Sequence, residues 1–152
     1  MANSKSVIIK EIAQELDSGF DCYYNLKNNE IVPIPNFSKF PNEEEFQEIF
    51  ESDLQKVSAQ KENFVKIEVL ESFESFKIME RFINKVTNID FKTNLEDILQ
   101  KKKPFMNFKF TVESSKYRKL WFDFKRQELE KIVKKKLEIL EFDQEKQIRL
   151  DE

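Results

Sequence analysis

Gly19 is the only glycine in a chain of 152 residues, and that scarcity constrains the fold more than any other feature. Glycine takes positive φ without a steric penalty, so tight turns and close backbone approaches lean on it. One glycine and four prolines suit long helices joined by few tight turns. The same scarcity excludes glycine-rich phosphate loops and dinucleotide-binding turns, since no such loop can be built around Gly19 alone. Sixteen phenylalanines supply the surface those helices must bury, each buried aromatic removing about 150–250 Å² from water. A domain of this length buries roughly 70% of its unfolded surface, and so many aromatics argue against disorder. With no internal repeat and no flexible linker, a single domain over residues 1–152 is expected.

The chain has no histidine. That removes Ser-His-Asp and Cys-His nucleophile activation, the commonest general base and the commonest metal ligand. Carboxylate, lysine or tyrosine chemistry remains, but the expectation is of a protein that is not an enzyme and carries no cofactor or metal. Cys22, the one cysteine, can form neither an internal disulfide nor a zinc site of the usual kind. The apolar run Val7-Ile8-Ile9 is cut short by Lys10-Glu11, well below a signal-peptide core of about 7–15 residues. No stretch approaches the ~18 apolar residues of a membrane span. A cytoplasmic location away from membranes is the expectation.

Periodicity predicts an α+β fold, predominantly helical, with a small N-terminal antiparallel hairpin or three-stranded sheet packed on a helical core. Ile8, Ile9, Ile12, Ala13 and Leu16 recur at helical spacing over Ser6 to Asp17, with Gly19 placed to end the helix. Asp21 to Asn25 reads as a strand, Lys27 to Glu30 as a turn, and Ile31, Val32 and Ile34 as the return strand. Pro33 and Pro35 donate no ladder hydrogen bonds and so place that strand at a sheet edge. Asn42 is expected to cap a helix running to about Ser58, with Glu43, Glu44 and Glu45 in its first turn and Phe46, Ile49, Phe50, Leu54 and Val57 as its apolar stripe. Phe64 to Leu70 alternates and reads as a third strand or as extended coil. From Ser72 the pattern is helical: one helix to about Val86, a second around Leu95, Ile98 and Leu99 capped by Thr93 or Asn94, a break at Lys101-Lys102-Lys103-Pro104, a short helix through Phe105 and Phe108, and a long one from Ser115 to about Leu140. The charged tail beyond Phe142 is expected to fray.

Three segments in order carry a likeness. They are Phe76-Lys77-Ile78-Met79-Glu80-Arg81-Phe82-Ile83, then Phe105-Met106-Asn107-Phe108-Lys109, then Leu120-Trp121-Phe122-Asp123-Phe124-Lys125. Together they resemble the uncharacterised bacterial family UPF0158, whose members have a hairpin-like N-terminal stretch, an Ile/Met-rich helix, a Phe-x-x-Phe-Lys segment and a Trp-[Tyr/Phe]-x-Phe-[Arg/Lys] helix. The resemblance implies a shared fold and no reaction. Members commonly carry a Gly-x-Gly-like segment before the Phe-x-x-Phe motif, where this chain has Lys101-Lys102-Lys103-Pro104. An anion cradle that depended on close backbone approach there is therefore in doubt. Helical spacing assigns the motif residues Phe76, Met79, Phe82, Phe105, Phe108, Trp121 and Phe124 to the core.

Charge is segregated. Between Gln100 and Leu140 thirteen Lys/Arg face five Asp/Glu, whereas before Gln100 eleven bases face nineteen acids. A basic stretch interleaved with aromatics is one footprint of nucleic-acid binding, and its candidate patch is Lys101, Lys102, Lys103, Arg118, Lys119, Arg126 and Lys134. Against it, the aromatics sit at core spacing, and the formal net charge of −3 repels a polyanion at long range. Glu44 with Glu48, and Glu68 near Glu71, read as solvated carboxylates rather than as an acid/base pair, and Cys22 as a small buried hydrophobe. The function expected first is a non-enzymatic interaction module that binds a protein partner or itself in an apolar groove bordered by the hairpin edge and the long helix. Nucleic-acid binding is the alternative.

Overall fold

The computed structural model describes residues 2–36 and 43–151. Its described helices and strands run α1 (Ala2–Asp17), β1 (Phe20–Asn25), β2 (Ile31–Pro35), α2 (Glu43–Ile49), α3 (Glu51–Ala59), β3 (Phe64–Ile67), α4 (Ser72–Ile83), α5 (Ile89–Leu99), α6 (Pro104–Glu113) and α7 (Arg118–Asp151). They form two compact units, one of residues 1–69 with 129–152 and one of residues 70–128. The fold is α+β and predominantly helical, as the periodicity predicts.

In the first unit the sheet is antiparallel with strand order β2-β1-β3, so the proline-bearing β2 lies at an edge. Gly19 takes φ 94° between α1 and β1, the one place where the chain uses its glycine for a reversal. Asn29 holds φ 64° in the hairpin turn, and Asn25 closes the turn by accepting backbone N–H bonds from Lys27 (2.9 Å) and Asn28 (3.2 Å). Both sheet faces are covered. Cys22 and Tyr24 lie on the same face as Ile67 and Val65, their cross-strand partners, and the Cys22 thiol points at the Ile12 carbonyl of α1, 3.9 Å away. On the other face Val32, Ile34 and Phe64 form a buried cluster against Tyr23, Leu54 and Val57. Phe64 and Ile67 are therefore both buried although they face opposite ways. Leu129, Val133 and Leu137 of α7 are buried at four-residue spacing, and Lys5 of α1 pairs with Glu141.

The predicted boundaries shift in three places. The helix expected to run to Ser58 is two helices, because Phe50 leaves helical geometry (φ −100°, ψ 12°) and its ring meets Phe20 edge to face. Ile49, expected in the apolar stripe, is consequently exposed. Asn42, its expected cap, lies outside the described residues. In α5 the cap is Asn88, whose side chain accepts from the Phe91 N–H at 2.9 Å; the Thr93 hydroxyl instead bonds back to the Ile89 carbonyl. The segment past Phe142 continues α7 to Asp151, since it contains neither proline nor glycine to stop it.

The second unit is all helix. Glu71 and Glu74 cap α4 reciprocally, each side chain meeting the other's backbone N–H. Phe82 of α4 lies among the rings of Phe108 (6.3 Å), Trp121 (5.1 Å) and Phe124 (5.6 Å). Arg81 reaches the buried Glu128 at 4.0 Å.

Asp21 ties β1 to the chain beyond β3. It is buried and accepts from the Val69 N–H at 2.9 Å and the Asn36 amide at 3.5 Å. Asp21→Ala strands that N–H, which costs about 1–3 kcal/mol. Urea denaturation of the variant is expected to show a lower midpoint at an unchanged slope, with Asp21→Asn, which keeps an acceptor oxygen, losing less.

Candidate functional site

The candidate site forms on α6 because that helix is apolar on two sides. Pro104 opens it at a position that needs no N–H, and the Asn107 side chain bonds back to the Lys102 carbonyl at 3.1 Å. Lys103, just before the helix, holds a left-handed backbone (φ 53°), a conformation glycine takes without penalty. Phe108 and Val112 turn inward and are buried, the Phe108 ring meeting Trp121 at 5.1 Å. Met106, Lys109, Phe110 and Glu113 fall at i, i+3, i+4 and i+7, so they share the opposite face. Met106 is 58% exposed and Phe110 74%.

With Ser114 and Arg118 these four residues line a concavity of about 410 Å³. Arg118 is held at its edge. The guanidinium lies 5.0 Å from the centre of the Phe122 ring and donates to the Glu113 carbonyl at 3.4 Å. Glu113 Oε2 is shielded from water and accepts no hydrogen bond among the described residues. Two other concavities occur in this unit. One, of about 400 Å³, is lined by Asn88, Phe91, Lys116 and Tyr117 among others, and its two rings stack at 4.9 Å and 11°. The other, of about 330 Å³, is lined by Phe76, Glu80, Glu96 and Gln100 among others.

The seven basic residues singled out in the sequence are exposed, and three of them have acidic partners one helical turn away. Lys101 pairs with Asp97 at 2.7 Å. Lys119 and Arg126 both approach Asp123, at 3.7 and 3.6 Å. Lys102 and Lys103 precede α6 without ion pairs among the described residues. Lys134 belongs to the other unit. Of the seven, only Arg118 lines the concavity on α6, and Lys109, which is not one of the seven, joins it there. The motif residues Met79, Phe82, Phe108 and Trp121 are buried, and Phe76 and Phe124 half-buried. Phe105, assigned to the core, is 41% exposed, its ring meeting Phe76 edge to face at 6.2 Å. The three concavities are all lined by residues of the second unit. Glu68 and Glu71 serve local structure, one paired with Lys66 at 3.4 Å and the other capping α4.

Among the described residues no three His, Cys, Asp or Glu side chains gather to hold a metal ion. No described helix is long and apolar enough to cross a membrane. A model of the uncharacterised protein family UPF0158 matches residues 4–151, and the chain belongs to that family. No curated protein and no solved structure matches the chain.

Cys22 is fully buried. Burial, reinforced by Glu15, Asp21 and Glu11, pushes its thiol from 9.0 up to about 12. At pH 8 the folded chain is expected to resist a thiol-specific maleimide that labels the urea-unfolded chain at once, since only the thiolate attacks. Because the folded value lies above the unfolded one, the thiol's contribution to stability is whole below about pH 9 and is lost as pH climbs toward 12. Urea midpoints measured across that window, compared with Cys22→Ala, isolate the loss.

Proposed function

We propose that this protein is a non-enzymatic, cytoplasmic interaction module that binds a protein partner through the outward face of α6. The observation that carries the reading is the pairing of Met106 and Phe110, both exposed on a helix whose other side is already buried. Burying one such side chain contributes about 1.5–3 kcal/mol, so covering this face is a ready source of binding energy, and exposed aromatics beside a cation are the usual makings of an interface centre.

Nucleic-acid binding is the second reading, favoured by the exposed, consecutive Lys101, Lys102 and Lys103. It is weaker because carboxylates already attend Lys101, Lys119 and Arg126. Replacing the three lysines by alanine is expected to leave RNA and DNA retention on filters unchanged at low salt. A large drop from a measurable wild-type signal favours this second reading instead.

The first reading is tested with Met106→Ser/Phe110→Ser. Both side chains are exposed, so the melting curve is expected to stay within about 0.5 kcal/mol of wild type. In quantitative co-purification from the source cells, at least one protein retained by the wild type falls about tenfold on the variant, the effect of roughly 1.4 kcal/mol. Equal retention on both baits, or none on either, ends the reading.

A further inference from the structure

We infer that the concavity on α6 takes a short acidic segment of a partner protein, anchored by an apolar side chain. This rests on the protein-binding reading and adds the chemistry of what is bound. The apolar part of the lining is Met106 and Phe110, and two cations, Lys109 and Arg118, line the same concavity. Lys109 carries no ion pair among the described residues, and Arg118 meets a ring and a backbone carbonyl rather than a carboxylate. Both charges therefore await an acid. Lys102 and Lys103 precede the helix and extend the positive character along the chain.

Glu113 narrows the choice further. It lines the concavity, and one of its oxygens is shielded without a donor. The continuous charge of a phosphate backbone is repelled by that carboxylate, whereas a peptide alternates its own acids with apolar residues and can set an uncharged residue beside it. The stripe from Met106 to Glu113 is about 10 Å long at 1.5 Å per residue. That length fits two turns of a helix or about three residues of extended chain, so the occupant is a short linear segment rather than a broad surface.

The test is selection of random 12-residue peptides displayed on phage against the full-length chain, with counter-selection on Lys109→Glu/Arg118→Glu, a variant whose far-UV circular dichroism is checked against wild type. Selected peptides are then synthesised and their binding measured by fluorescence anisotropy. The expected winners place Asp or Glu around Phe, Leu, Ile or Trp. Their binding weakens about tenfold with Lys109→Glu/Arg118→Glu and about tenfold with Phe110→Ser, and a peptide with its acids changed to lysine binds the charge-reversed variant better than wild type. Basic or uncharged winners, winners indifferent to the charge reversal, or no winners at all overturn the inference. So does a single-stranded RNA 12-mer that binds more tightly than the peptides and is lost with the same two substitutions. Winners that depend on Phe110 but not on Lys109 and Arg118 sink the acidic segment while leaving protein binding standing. Co-purification that is indifferent to Met106→Ser/Phe110→Ser removes both.

Discussion

The ring of Phe82 meets three others, Phe108, Trp121 and Phe124, at centroid distances between 5.1 and 6.3 Å, and much of the second unit follows from that meeting. The rings come from α4, α6 and α7, so a single aromatic cluster fixes how each helix is rolled about its axis. Edge-to-face pairs of this kind add about 0.5–1.5 kcal/mol each beyond the area they bury. The roll of α6 matters most. With Phe108 committed inward, residues two positions away are turned by about 200°, and Met106 and Phe110 must face out. Their exposure is a consequence of the cluster rather than an accident of the surface.

The basic half of the chain is subject to a similar constraint, set by local carboxylates. Asp97 and Asp123 are placed one helical turn from Lys101 and from Lys119 and Arg126, where such pairs are worth a few tenths of a kcal/mol. That is little for stability, yet it takes charge away from any shared anion-binding face. Sequence counts register the excess of lysine and arginine but not how it is partitioned. Arg118 differs from its neighbours because Phe122, one turn on, offers its guanidinium a ring.

Much of the fold is legible in the sequence because its signals are local. Gly19 and Asn29 mark positive-φ positions by residue type, the prolines mark an edge strand by their missing donors, and Pro104 marks a helix start. What was illegible depends on tertiary contact. Nothing near Phe50 announces a helix break, since the break follows from its meeting with Phe20. The cap of α5 lies at Asn88 rather than Thr93 because a threonine hydroxyl inside a helix bonds backward. The candidate site was hidden by its own motif. Phe105 and Phe108 read as core, yet with Met106, Phe110 and Val112 they make five apolar residues in one ten-residue helix, and five cannot all face one side. Counting faces, not hydrophobicity, is the signal that finds Met106 and Phe110.

The strand β2 has a consequence for how copies or partners meet this chain. Sheets with open borders invite a foreign strand to pair along them, which is the common route to edge-to-edge aggregation. Pro33 and Pro35 have no amide hydrogen, so along that border an incoming strand finds donors missing at two alternate positions. Backbone recruitment is blunted on that flank, and association there must proceed through side chains.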